Sequence, residues 1–190
     1  MFELNVPNVL TLLRILLVPV LVAVLVQEGG GLDEVAAAVF ILASFTDALD
    51  GWIARRQKSV TTFGKLMDPL ADKLLVTAAL VSLVQLGRVS AWVAMVIIAR
   101  EFAVSGLRIA AGQQGVVIPA SGLGKLKTIV QVAAVLALIA ASDPDAIWVQ
   151  ALVYAMVLVT VVSGADYFLN FRRSLERAGR DRSTAARQQP

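Results

Sequence analysis

Apolar residues gather in six runs, at about 9–26, 35–54, 68–86, 91–111, 126–141 and 147–168, separated by short breaks rich in Gly, Pro or charge. A helix needs about 20 apolar residues to cross the hydrocarbon core of a bilayer, so each run is read as one membrane helix. No segment alternates apolar and polar positions as a barrel strand would. The pattern therefore predicts an all-α fold, an integral membrane bundle of six transmembrane helices.

Composition strengthens that reading. Of the 190 residues, 58% are hydrophobic, and the mean hydropathy is +0.77, beyond what a soluble domain carries. No separate soluble domain fits. Residues 1–171 are read as one membrane domain and 172–190 as a basic cytoplasmic tail, either solvated and partly disordered or in contact with anionic headgroups. The first run lacks a basic leader and a small-x-small cleavage site, so it is read as a helix and not as a cleaved signal.

The formal charge is only +3, and its distribution is more informative than its sum. The first connection holds Glu28, Asp33 and Glu34, and the fifth holds Asp143 and Asp145, with no base in either. The second carries Arg55, Arg56, Lys58 and Lys65, the fourth is flanked by Arg108, Lys125 and Lys127, and the tail is arginine-rich. Because Lys and Arg stay on the cytoplasmic side, both termini are expected inside, with Arg88 in the tight third connection as the single exception. The bases are thereby assigned to the membrane, and no nucleic acid is expected as a partner.

The chain has no cysteine and no histidine. Any metal site must be built from carboxylate oxygen, which suits hard ions such as Mg²⁺, Mn²⁺ or Ca²⁺ better than zinc. Such carboxylates are present. Asp47 and Asp50 stand three residues apart near the end of the second run, and Asp68 and Asp72 four apart near the start of the third. On a helix each pair shares a face, and opposite helix directions bring both pairs to the cytoplasmic half of the membrane. One charge at the bilayer centre costs about 2.5–3.5 kcal/mol even on the lenient insertion scale. Divalent ions remove the repulsion, and four acids suit a two-metal clamp on a phosphate or pyrophosphate. Pro69 is expected near the start of the third helix, where its missing N–H costs least.

The stretch reads Asp47-x2-Asp50-Gly51-x2-Ala54-Arg55-x8-Gly64-x3-Asp68-x3-Asp72, and all eight fixed positions match the signature of the CDP-alcohol phosphotransferases, which the chain resembles. That resemblance implies that Asp47, Asp50, Asp68 and Asp72 hold the divalent metal, Mg²⁺ or Mn²⁺ as a pair of ions. It implies that Asp72 also acts as the catalytic base, and that Arg55 meets the nucleotide pyrophosphate while Gly51, Ala54 and Gly64 line the CDP pocket. A homodimer in the inner (cytoplasmic) membrane, with its active site facing the cytoplasm, follows from the same likeness.

The signature does not choose the alcohol. Four further segments, 6–14, 99–108, 124–128 and 163–168, resemble the bacterial branch of the family that makes phosphatidylglycerol phosphate, which implies CDP-diacylglycerol as donor and sn-glycerol 3-phosphate as acceptor. Arg108, Lys125 and Lys127 are then candidates for the acceptor phosphate, with Asp166 and Tyr167 as further candidates. Lys125 and Lys127, two residues apart, can share one ligand only if the chain before Thr128 is extended or barely helical. Each feature has a blander account. Positive-inside bias alone would place the three bases, Pro7 and Asn8 either start the first helix or approach the nucleotide, and Arg100 and Glu101 either tie helices together or line a polar cavity. Gly122-Leu-Gly124-Lys125 is not a P-loop, since Leu126 stands where Ser or Thr is needed. Competing readings are a related transferase using inositol phosphate, serine or a second lipid, a cation or proton transporter, which would call for repeat symmetry that is not visible, and a membrane scaffold.

Overall fold

The computed structural model describes the backbone of residues 6–27, 32–57, 62–113 and 122–187, with the side chains in those ranges except 6–8, 47–57, 62–69, 72, 175 and 177–187. Six helices follow in order: α1 (Val6–Val26), α2 (Asp33–Gln57), α3 (Thr62–Gln85), α4 (Ala91–Gln113), α5 (Gly122–Ala140) and α6 (Ile147–Arg187). The described residues contain no strand, and the all-α expectation holds.

Three helices differ from their apolar runs. Helix α3 begins at Thr62, so Pro69 lies inside it and not at its start. A proline there cannot donate to the carbonyl four residues back, and the surrounding structure must absorb that loss. Helix α5 begins at Gly122. Helix α6 runs 41 residues to Arg187, so the tail expected to be partly disordered continues as helix. Its Ala, Arg and Leu residues are good helix formers, and Arg172 pairs with Glu176 one turn on at 2.9 Å.

Among the described residues, three helices contain stretches long and apolar enough to cross a membrane, Val9–Val26, Gly122–Ala140 and Ile147–Ser174. The described residues of α2, α3 and α4 hold no stretch of that length and hydropathy, although Lys73–Gln85 of α3 is a shorter apolar stretch. All six nevertheless expose large apolar side chains, among them Leu16, Phe45, Leu74, Met95, Ile129 and Leu158. Apolar exteriors of this extent belong against lipid.

The chain divides into two compact units, Met1–Ala94 with Val132–Leu152, and Met95–Gln131 with Val153–Pro190. In the first, α1 packs on α2 and α3, and α2 and α3 also meet. Leu21, Leu25, Phe40, Leu75 and Leu83 fill its core, with Ala36, Ala43, Ala71 and Ala79 buried among them. Small residues let helices approach closely where lipid supplies no hydrophobic drive for association. In the second, Ile97, Val104, Met156 and Tyr167 are buried together with the polar residues Glu101, Lys127, Gln131, Thr160 and Ser163.

The topological exception Arg88 has a structural account. Helix α3 ends in a Schellman turn: the Gly87 N–H donates to the Val84 carbonyl at 3.0 Å and the Arg88 N–H to that of Leu83 at 2.9 Å. Gly87 sits at φ 69°, a conformation a side chain would strain. The turn sends the Arg88 guanidinium to the Leu138 and Ile139 carbonyls at the end of α5, at 3.2 and 2.6 Å, and to Asp33 at the start of α2, at 2.6 Å. It thus satisfies orphan carbonyls at the negative end of one helix dipole while its partner carboxylate sits at the positive end of another. Arg88 is committed to helix ends, which is why it departs from the loop-charge rule.

Replacing Arg88 with Met is expected to destabilise the detergent-solubilised protein by about 1.5–3 kcal/mol, since hydrogen bonds to a charged donor are lost. Asp33→Asn should cost at most about 1 kcal/mol, because the Asp33 side chain is 41% exposed. Thermal unfolding checks both, and a larger loss for Asp33→Asn would show that the ion pair outweighs the carbonyl contacts.

Candidate functional site

Helix α2 carries Asp47, Asp50, Gly51, Ala54 and Arg55, and α3 carries Gly64, Asp68 and Asp72. Backbone register therefore keeps each Asp pair about one turn apart on its helix, and the two helices pack together in the first unit. The side chains of these residues, and of Asn8 near the start of α1, lie outside the described ones. As a donor set, four carboxylates in a chain without Cys or His fit a hard divalent cation.

Helix α1 contributes residues that the sequence did not single out as functional. Thr11 and Arg14, about one turn apart, are fully buried, and Arg14 ranks first by volume among the fully buried side chains described. A guanidinium enclosed on the helix that packs on α2 and α3 must be answered by opposite charge or oriented dipoles. The sequence signals were a lone Arg inside an apolar run and its place in the family-like segment 6–14.

The second unit holds a buried ionic cluster. The Glu101 carboxylate oxygen Oε1 accepts from the Lys127 ammonium and from Arg100 Nη1 at 3.3 Å. Arg100 Nη2 donates to Ser163 Oγ at 3.1 Å, and that hydroxyl donates to the Thr160 carbonyl at 3.1 Å. The Arg100, Glu101 and Lys127 side chains are only 15%, 11% and 8% exposed. Four polar atoms in this unit are buried without a hydrogen-bond partner among the described residues: Arg100 Nε, Gln131 Nε2, Thr160 Oγ1 and Tyr167 Oη. Buried polar groups are nearly always satisfied, so this concentration marks an interior fit for water or a polar ligand. Both readings of Arg100 and Glu101 have support here, since the residues tie α4 to α5 and α6 and also form the centre of a polar region.

The other acceptor candidates separate. Arg108 is exposed, with its guanidinium 5.8 Å from the centroid of the Tyr167 ring, a cation–π contact. Asp166 accepts from Asn170 Nδ2 at 3.2 Å. Lys125 and Lys127 do not lie on an extended segment. The helix is already formed at Gly122, and the Thr128 hydroxyl donates to the Gly124 carbonyl at 3.2 Å as a helix permits. Two residues apart on a helix, the lysines diverge, Lys127 buried and Lys125 exposed. The condition for their sharing one ligand is not met.

Comparison with known proteins agrees with the motif. The family described as CDP-alcohol phosphatidyltransferase matches residues 4–162. The chain is 44% identical over 180 residues to the CDP-diacylglycerol–glycerol-3-phosphate 3-phosphatidyltransferase of Bacillus subtilis (strain 168), covering 86% of this chain and 93% of that one. It is 41% identical over 186 residues to a probable phosphatidylglycerophosphate synthase of Mycobacterium tuberculosis, covering 96% and 87%. A CDP-diacylglycerol–glycerol-3-phosphate 3-phosphatidyltransferase of Rickettsia typhi is 39% identical over 169 residues, covering 86% and 95%.

A side chain at Gly164 would meet the brace of the cluster, because a Cβ built there lies 3.2 Å from Arg100 Cγ. Gly164→Ala is expected to change stability by less than about 1 kcal/mol, because alanine's helix propensity offsets the shifted arginine stem, whereas Gly164→Leu, which must displace that stem, should cost about 1–3 kcal/mol. Thermal unfolding of the two variants checks the order.

Proposed function

We propose that this chain, which belongs to the CDP-alcohol phosphatidyltransferase family, transfers the phosphatidyl group of CDP-diacylglycerol to sn-glycerol 3-phosphate, giving phosphatidylglycerol phosphate and CMP. The observation that carries the proposal is the eight-position motif on two helices that pack on each other. The activity named for relatives that align with most of this chain supports the choice of acceptor.

Asp47, Asp50, Asp68 and Asp72 would hold two Mg²⁺ or Mn²⁺ ions, which supply positive charge beside the pyrophosphate. Arg55 pairs with the pyrophosphate oxygens, and Gly51, Ala54 and Gly64 leave room for the nucleotide, with Asn8 near it. The acceptor hydroxyl oxygen bonds to the β-phosphorus as the bond from that phosphorus to the bridging oxygen breaks, and CMP leaves with the electron pair. The hydroxyl proton passes to the Asp72 carboxylate. Arg108 and Lys127 anchor the acceptor's phosphate dianion, exposed Lys125 attracts it, and Tyr167 and Asp166 meet its polar groups. Residues 1–171 form a six-span membrane domain and 172–190 a basic tail. The protein works as a homodimer in the inner membrane, with both termini and the active site on the cytoplasmic face, as the lysine and arginine distribution requires.

Purified protein supplied with CDP-diacylglycerol is expected to release CMP with sn-glycerol 3-phosphate and not with serine or inositol phosphate. Equal release with either of those would overturn the acceptor assignment. Exhaustive chelation, or Asp47→Asn, Asp50→Asn or Asp68→Asn, should lower turnover about a hundredfold or more while the protein still inserts. Asp72→Asn should lower kcat more than donor affinity.

Arg108→Gln is expected to raise the acceptor KM by about ten- to a hundredfold, the loss of one charge-assisted phosphate contact, and to leave the donor KM nearly unchanged. A rise in the donor KM instead would move Arg108 to the nucleotide-lipid site.

A further inference from the structure

We infer that Gln131 and Thr160 are specificity-determining residues that read the non-reacting hydroxyl of a polyol phosphate acceptor. The inference rests on the proposed acceptor and goes beyond it, because it assigns the stretch between phosphate and attacking oxygen to two groups that carry no charge.

The hydrogen bonding of the second unit singles these residues out. Thr160 is fully buried, and its Oγ1 has no hydrogen-bond partner among the described residues. A hydroxyl on a helix has a partner at hand, the carbonyl three or four residues back. Thr46, Ser105, Thr128 and Ser163 all take it, and Thr160 does not. Gln131 is 2% exposed, and its amide nitrogen is likewise without a partner among the described residues. An unmade buried donor is costly, so each atom calls for an oxygen brought from outside the chain.

The surrounding contacts put the two residues at one depth. Arg100 on α4 meets Ser163 on α6 at 3.1 Å, and its neighbour Glu101 meets Lys127 on α5. Helices α4 and α6 run the same way, since Arg108 meets Tyr167 farther along both, and α5, the span after α4, runs back. Gln131, one turn after Lys127, is thus level with Ile97, one turn before Glu101, and Thr160, about one turn before Ser163, shares that level. Beyond it the buried side chains of the unit are apolar, with Ile97 on α4 and Val153 and Met156 on α6. Gln131 and Thr160 are therefore the innermost polar groups of this unit, one turn past the charged Arg100, Glu101 and Lys127.

That position and that chemistry suit a hydroxyl. The amide nitrogen donates, and the threonine oxygen donates or accepts, so one hydroxyl can accept from Gln131 and donate to Thr160 at once. A phosphate dianion takes charge-assisted contacts instead, and two further partnerless donors, Arg100 Nε and Tyr167 Oη, lie on the charged side of the level. sn-Glycerol 3-phosphate carries one hydroxyl of the required kind, on the carbon between the attacking end and the phosphate end.

The test compares two acceptors on the full-length protein in nanodiscs, with CMP release as the readout. One is sn-glycerol 3-phosphate, and the other is propane-1,3-diol monophosphate, which keeps the phosphate and the primary hydroxyl and lacks the hydroxyl between them. The unaltered protein should favour the first by about ten- to a hundredfold in kcat/KM. Thr160→Val and Gln131→Met remove the polar atoms with little change of volume. Each should lower kcat/KM for sn-glycerol 3-phosphate by about five- to tenfold, and leave that for the diol phosphate and the donor KM unchanged within about twofold. Thr160→Ser, which keeps the hydroxyl, should retain the preference. Equal losses with both acceptors, as a lost interior water or disturbed packing would give, overturn the inference, and so does an unaltered protein that does not distinguish the two. Both outcomes leave the acceptor assignment standing. No CMP release with sn-glycerol 3-phosphate overturns that assignment and the inference with it. Because each replacement keeps its shape and removes an unmade donor, both variants should unfold no more than about 4 °C below the unaltered protein. A larger loss means that the atom has an internal partner, and it too overturns the inference.

Discussion

Charge placed in apolar surroundings has to be answered by other charge or by oriented dipoles, and this chain is organised by where those answers are found. In the first unit Arg88 is answered at helix ends, by the Leu138 and Ile139 carbonyls and by Asp33. In the second, Glu101 is answered inside the helix cluster by Lys127 and Arg100. The two arrangements do different work. An arginine spread over the end of one helix and the start of another joins segments distant in sequence and leaves no charge over. A carboxylate shared by a buried lysine and a part-buried arginine instead ties α4 to its neighbours from within the cluster.

The motif carboxylates pose the same problem more severely. Four acids on two packed helices, if brought side by side, could not all stay ionised without cations. Arg14, fully enclosed on the helix that packs on both, brings one positive charge to that region. One guanidinium cannot offset four carboxylates, and divalent ions would supply the rest. On the proposed reading, bound cations would let such acids share one site, as attack on a pyrophosphate requires.

Much of the fold was legible because the signal was coarse. Apolar runs of membrane length leave little choice but helix, and all six were found. The errors fall at the ends, where charge disguises helix as connection. Helix α3 starts at Thr62 and not at 68 because Gly64, Lys65 and Pro69 read as a break, although polar residues in a terminal turn cost a helix little. The tail read as coil because composition reports hydrophobicity, whereas Arg and Ala favour helix whether or not they are buried. The placing of the motif acids as pairs on two successive helices was legible from spacing alone. The partners of Arg88 and the Lys127 partner of Glu101 were not, since they lie 50 or more and 26 residues away in sequence respectively, and nothing local encodes a contact of that separation.

The lysines of α5 show how structure separates two explanations that sequence leaves superposed. A base near the end of a membrane helix answers equally to the positive-inside bias and to a ligand. The bias acts through the energetics of translocation and headgroup attraction, and it asks only that the charge sit in the polar zone, where a lysine stem snorkels outward. It gives no reason to bury the ammonium. Lys125 is exposed and needs no further account. Lys127, 7% exposed and bound to Glu101, bears a desolvation cost that topology does not demand. Its contact with Glu101 is one requirement that holds it there, tying α5 to α4 inside the cluster.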